Sequence, residues 1–93
     1  MSKTIETTTS ITVIHGAMLS FETVAGAEAA PLRIREDHET LLRVIDGTIT
    51  LEIDGATREL TPENEARIPA GTPHRVSSAD GEARIVQEFR RAA

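Results

Sequence analysis

The chain has 93 residues with a net charge of −5, 39% hydrophobic and 27% charged residues, and neither Cys, Trp nor Tyr. That is one globular domain's worth of chain, neither disordered nor membrane-like in composition. An acidic chain with only Phe21 and Phe89 as aromatics lacks the cationic surface and stacking platforms of a nucleic-acid binder, and without cysteine it has no disulfide, thiolate nucleophile or zinc–thiolate site.

No apolar run approaches the roughly 20 residues of a membrane-spanning helix, and residues 1–10 lack the apolar segment of a secretory signal. A cytoplasmic protein with no membrane partner is therefore expected. Residues 1–9 read as a frayed tail or an edge strand of a single domain spanning 1–93.

Taken in chain order, the sequence is a succession of short β-branched runs between turn residues, with little helix signal. Ile11–Ile14 and Met18–Val24 are the first two runs, separated by His15-Gly16, where His15 is expected to be exposed. Residues 25–31 are small and Gly/Ala-rich and suit a loop. Leu41–Ile45 is a third run. Thr48–Ile53 alternates strictly, with Ile49, Leu51 and Ile53 against Thr48, Thr50 and Glu52, as a strand with one buried face does. Asp54-Gly55 is a favoured two-residue hairpin turn, after which Ala56–Leu60 returns. Asp46-Gly47 reads as a second tight turn, so these three strands are expected to form a meander. Ala66–Ile68, His74–Ser77 and Ala83–Phe89 supply three more, parted by Pro69-Ala70-Gly71 and Asp80-Gly81. Eight or nine short strands at close spacing predict an all-β sandwich or small barrel.

Two segments resemble the paired motifs of the cupin superfamily. Ile68-Pro69-Ala70-Gly71-Thr72-Pro73-His74-Arg75-Val76 matches the heart of the second motif, which reads Pro-x-Gly, two residues, His. His38–Gly47 resembles the end of the first. Pro69 fixes φ and Gly71 permits a positive φ, so the chain can turn sharply and deliver His74 to the start of the next strand. The resemblance covers about the last two-thirds of the chain. It implies a double-stranded β-helix, or jelly roll, and a divalent metal held inside the barrel by two motif-one histidines, a glutamate and the motif-two histidine.

The departures bear on that metal. Counting back from Gly47 puts the glutamate position at Thr40. With three residues intervening, the two histidine positions fall on Ile34 and Glu36; with four, they fall on Arg33 and Arg35. Neither register gives His-x-His. The leading glycines are replaced by Glu28 (Ala27 in the other register) and Glu63, and the closing Asn by Ser78. Only His74 stands in place, and stable metal sites need three or four converging ligands, so no cofactor is expected.

His74 is either a pocket residue, titrating near neutral pH, or a packed relic. Thr40, Leu42 and Val44 share strand parity and should line the barrel. Ile34 and Glu36 join His74, Thr40 and Leu42 as expected pocket-lining residues. On an extended strand Glu36 and His38 would face one side; with His74 they are the candidate ligands if a divalent transition metal binds. Against this, the resemblance sets His38 on the rim. Arg33, Arg35, Arg43, Arg67 and Arg75 would bind a carboxylate or phosphate if several faced inward; on the outer face they would pair with neighbours such as Glu52 or Glu59.

The sequence thus predicts a stand-alone cupin with a degenerate metal site and a small-molecule-binding, structural or regulatory role. Its rivals are a metal-dependent isomerase, lyase or oxygenase using Glu36, His38 and His74, and a carboxylate or sugar-acid binder using inward arginines. A homodimer is expected. Leu41 and Ile45 oppose the parity of the barrel-lining residues and would leave an apolar outer patch.

Overall fold

The computed structural model describes residues 7–14, 17–25, 31–78 and 81–91. His15 and most of the loop expected at 25–31 lie outside them. The described residues form eight strands: β1 (Thr7–Ile14), β2 (Ala17–Ala25), β3 (His38–Asp46), β4 (Ile49–Ile53), β5 (Ala56–Leu60), β6 (Glu65–Ile68), β7 (His74–Ser78) and β8 (Glu82–Arg91). They make two antiparallel sheets, one of five strands in the order β1-β2-β8-β3-β6 and one of three in the order β5-β4-β7. This is the jelly-roll barrel, with β1 on the edge of the larger sheet.

Side chains alternate across each sheet, so every second residue enters the barrel. Ser20, Glu22 and Val24 of β2 are buried; so are Thr40, Leu42 and Val44 of β3, His74, Val76 and Ser78 of β7, and Ala83, Ile85, Gln87 and Phe89 of β8. Register puts Ser20 opposite Gln87 and Gln87 opposite Leu42. Ile49 and Leu51 of β4, Leu60 of β5, and Ala66 and Ile68 of β6 complete an apolar core with Leu42, Val44, Val76 and Ile85. Ser20, Glu22 and Gln87 break the apolar lining of β2 and β8.

The expected meander does not form. β3 pairs with β6 and β8, whereas β4 pairs with β5 and β7. Of the three strands β3, β4 and β5, β4 and β5 make a hairpin, turning at Asp54 and Gly55 with φ of 51° and 79°, as the Asp-Gly pair predicts. Asp46-Gly47 instead carries the chain from one sheet to the other, just after a register shift between Val44 and Asp46. Gly47 has φ of 90° and lies so close to β8 that a Cβ there would stand 2.9 Å from the Ala83 Cβ and 3.0 Å from the Glu82 carbonyl oxygen. A hairpin turn and a sheet crossing use the same residue types, and only this approach to β8 tells them apart.

Ahead of β3, residues 31–37 run alongside β7, at the edge of the smaller sheet. Arg33 pairs with His74 through two main-chain hydrogen bonds, its N–H donating to the His74 carbonyl at 2.7 Å and its carbonyl accepting from the His74 N–H at 2.9 Å. Two residues on, the Arg35 carbonyl accepts from the Gly71 N–H at 2.8 Å. The Pro69–Gly71 turn, with Gly71 at φ of 78°, is thereby tied to this segment.

Gly47→Ala should lower stability by roughly 2 kcal/mol or more, since it combines left-handed strain with a clash against backbone. Gly55→Ala, whose added Cβ meets nothing within 4 Å, should cost about 1 kcal/mol from conformational strain alone. Urea unfolding of the two variants measures the difference.

Candidate ligand site at the barrel mouth

The site is built around a buried carboxylate. Glu22 has inward parity on β2 and is 5% exposed. A carboxylate so placed must be paired or pay heavily for lost hydration. Arg33 supplies the pairing: its Nη1 donates to Glu22 Oε1 at 2.8 Å and its Nη2 to Oε2, a two-pronged ion pair. Gln87 Nε2, reaching across from β8, donates to Glu22 Oε1 at 3.3 Å.

His74 enters at the start of β7. Its Nδ1 lies 3.1 Å from the Thr72 carbonyl oxygen. That oxygen can only accept, so Nδ1 carries the proton. Burial holds the His74 pKa below the usual histidine value, opposed by the Thr72 hydrogen bond and reinforced by the positive charges of Arg33 and Arg35. The ring is therefore neutral at pH 7, with an unprotonated Nε2 that accepts hydrogen bonds. Arg35 lays its guanidinium over the Phe89 ring, 4.3 Å from the centroid, and the ring face holds it in plane.

These groups surround one opening of about 350 Å³. Ser20, Glu22, Gln87 and His74 form its inner wall, and Arg33 and Arg35 its cationic side. Leu32 and Ile34, 51% and 45% exposed, form an apolar lip.

The expected site residues are only partly brought together. His74 faces the opening. Ile34 belongs to the exposed lip, beside a half-buried Arg33 and an Arg35 that lies exposed at the rim of the opening; it does not fill the interior. Glu36 is exposed in the bend at residues 36–37 and does not line the opening, because β3 begins only at His38 and the shared strand parity is lost. His38 stands half-buried at the first position of β3, opposite Arg91. Thr40 and Leu42 are buried in the barrel but lie off the opening. Thr40 Oγ1 is enclosed without a hydrogen-bond partner. Arg43 pairs with Glu65, Arg67 with Glu39 and Arg75 with Glu52, so these three arginines serve the outer face.

Sequence reasoning missed Ser20, Glu22 and Gln87. On β8 a signal existed: Ala83, Ile85 and Phe89 alternate cleanly, and Gln87 is the polar residue in that series. On β2 the apolar residues Leu19 and Phe21 have the outward parity, so the pattern pointed the wrong way.

Arg33 and Arg35 both line the opening, as the register that sets the family's two histidine positions on them would require. In that register the glutamate position is Thr40 and the second-motif histidine is His74. Two guanidiniums, one enclosed neutral hydroxyl and one imidazole do not make a divalent-metal site. The nearest carboxylate, Glu22, is already engaged by Arg33. Among the described residues no group of three or more His, Cys, Asp or Glu side chains is gathered that could hold a metal ion. The donor set does not fit the family's metal.

The family model described as "Cupin domain" matches residues 20–86. This chain is a cupin. Over 60 residues it is 40% identical to quercetin 2,3-dioxygenase of Bacillus subtilis (strain 168), a match covering 63% of this chain but 18% of that enzyme. The cupin barrel is similar to KdgF from Halomonas sp., with a TM-score of 0.79 at 17% identity over 94% of this chain and 82% of that one. It is also similar to the Schizosaccharomyces pombe Cnp3 cupin domain, with a TM-score of 0.81 at 8% identity over 98% and 70%. At such identities the structural likeness is one of fold, and one fold serves many functions.

Arg33→Met should lower stability by about 3 kcal/mol, because it strands a buried carboxylate. Arg43→Met, which opens the exposed pair with Glu65, should change it by less than about 0.5 kcal/mol. Chemical denaturation of both variants decides this.

His74 adds a pH dependence. Its folded pKa is lowered, so between that value and 6.5, the ordinary value, the unfolded chain binds more protons. Its contribution is present above pH 6.5 and is lost as pH falls through the lowered folded value. The unfolding midpoint should fall on mild acidification, and His74→Gln should flatten that part of the profile.

Proposed function

We propose that this cupin is a small-molecule-binding barrel with a degenerate metal site, taking its ligand at the opening beside His74, Arg33 and Arg35. The placement of Arg33 and Arg35 side by side at the opening supports this most directly. Where the family's imidazoles would converge on a cation, this barrel presents guanidiniums, and an opening of about 350 Å³ suits a small ligand. The dioxygenase activity belongs to an enzyme of which this chain matches under a fifth. Three of the four positions that would carry a metal for such chemistry hold residues unable to ligate it well. Purified without added metal, the protein should carry well under one equivalent of transition metal by elemental analysis. Near one metal per chain surviving dialysis against chelator would overturn this reading.

We further propose that the chain works as a homodimer through the outer face of the five-stranded sheet. Phe21 and Ile45 are 39% and 46% exposed there, and Phe21 lies beside Val86 in register. Burial against a second copy would remove this apolar surface from water. Sedimentation at micromolar concentration should give a species of twice the 10.1 kDa chain mass; a single species of the chain's own mass would reject the dimer.

A further inference from the structure

We infer that the ligand class of this opening is a short hydroxy carboxylate with an apolar substituent, its carboxylate on Arg35 and its hydroxyl on His74. This rests on the small-molecule reading above and adds what the pocket chemistry selects.

The charge of the opening comes first. Its ionised lining groups are Glu22, Arg33 and Arg35, and Arg33 is spent on Glu22 through two hydrogen bonds. That leaves the mouth with one uncompensated positive charge, on a protein whose net charge is −5. The charge sits on Arg35, which has no carboxylate partner among the described residues. Glu36 and Asp37, next along the chain, are exposed and do not line the opening. Its main chain is tied to Gly71, and its guanidinium, on an exposed residue at the rim, stacks on Phe89. A planar donor fork placed in this way is suited to a carboxylate, which it can bind through two parallel hydrogen bonds.

Two further groups narrow the class. The neutral His74 ring, with Nδ1–H committed to Thr72, offers Nε2 as an acceptor. It therefore favours a ligand that carries a donor, such as a hydroxyl, beside its carboxylate. Leu32 and Ile34, exposed at the lip, offer contact to an apolar substituent and none to a second charge.

Mandelate, mandelamide and phenylacetate separate these requirements. Mandelate has all three elements, mandelamide lacks the charge, and phenylacetate lacks the hydroxyl. Each is titrated into the isotope-labelled full chain, following the amide resonances of residues 31–35 and 72–74. Mandelate is expected to bind about tenfold more tightly than mandelamide and measurably more tightly than phenylacetate. Arg35→Gln should erase the preference for mandelate over mandelamide; Arg43→Gln, on the outer face, should keep it. Equal binding of mandelate and mandelamide by the unaltered chain would overturn the carboxylate assignment while leaving small-molecule binding at this opening standing. So would an Arg35→Gln variant that retains the preference. Phenylacetate binding as well as mandelate would overturn the hydroxyl assignment. No shift from any probe at millimolar concentration overturns the inference, and the small-molecule reading falls with it only if uncharged and cationic compounds of the same size also leave those resonances unmoved.

Discussion

A carboxylate on the inner face of a small barrel sets a condition that much of the mouth has to meet. Glu22 occupies an inward position of β2 and is almost wholly removed from water. A charge in that environment is tolerated only with a counter-ion and further hydrogen bonds. Arg33 and Gln87 provide both. For Arg33 to reach in from the segment ahead of β3, that segment must lie against β7 with Arg33 facing the interior. Arg35, two residues on, then comes to the rim of the same opening, with Ile34 exposed between them. The cationic side and the apolar lip of the opening thus follow from the need to neutralise one side chain.

The arrangement also changes the sign of the site. A metal-binding barrel gathers electron-pair donors around a cation. Here the cation is covalently part of the chain, and its partner Glu22 comes from β2, a strand outside both motifs. Among the described residues no three His, Cys, Asp or Glu side chains gather where they could hold a metal. Thr40 keeps the inward position of a ligand but carries a hydroxyl with no partner, which costs stability and contributes no charge. His74 keeps both position and ring, and its environment of burial and neighbouring guanidiniums favours the neutral form.

Much of the barrel is legible in the residue pattern because a β-strand with one buried face has no freedom in its period. The alternation of Ile49, Leu51 and Ile53 marks one face of a strand, and Asp54-Gly55 makes the tight turn that its residue types favour. The crossing at Asp46-Gly47 was not legible. Its residues satisfy a hairpin equally well, and the contact that excludes one is with Ala83, far along the chain. The mouth was half legible. His74 was marked by the turn that delivers it, and the arginines by their possible registers, but the pairing of Arg33 with Glu22 was marked by neither. On β2 the outward residues include Phe21, so burial could not be inferred from hydrophobicity, and nothing local to Glu22 announces a partner eleven residues away.

The main-chain hydrogen bonds that hold residues 33–35 have a consequence for how such a barrel can change. The N–H and carbonyl of Arg33 and the carbonyl of Arg35 are anchored to His74 and Gly71 by backbone groups alone. Any residue other than proline at position 33, and nearly any at position 35, can make the same bonds. The main-chain bonds of the mouth thus do not depend on the side chains it displays, whereas the ion pair with Glu22 holds position 33 to arginine. The mouth's chemistry can be rewritten by a few substitutions, with the cost falling on the partner of Glu22 and not on the architecture. Position 35 is the exchangeable one, where a new side chain keeps the backbone tie to Gly71 and leaves the Glu22 pair untouched.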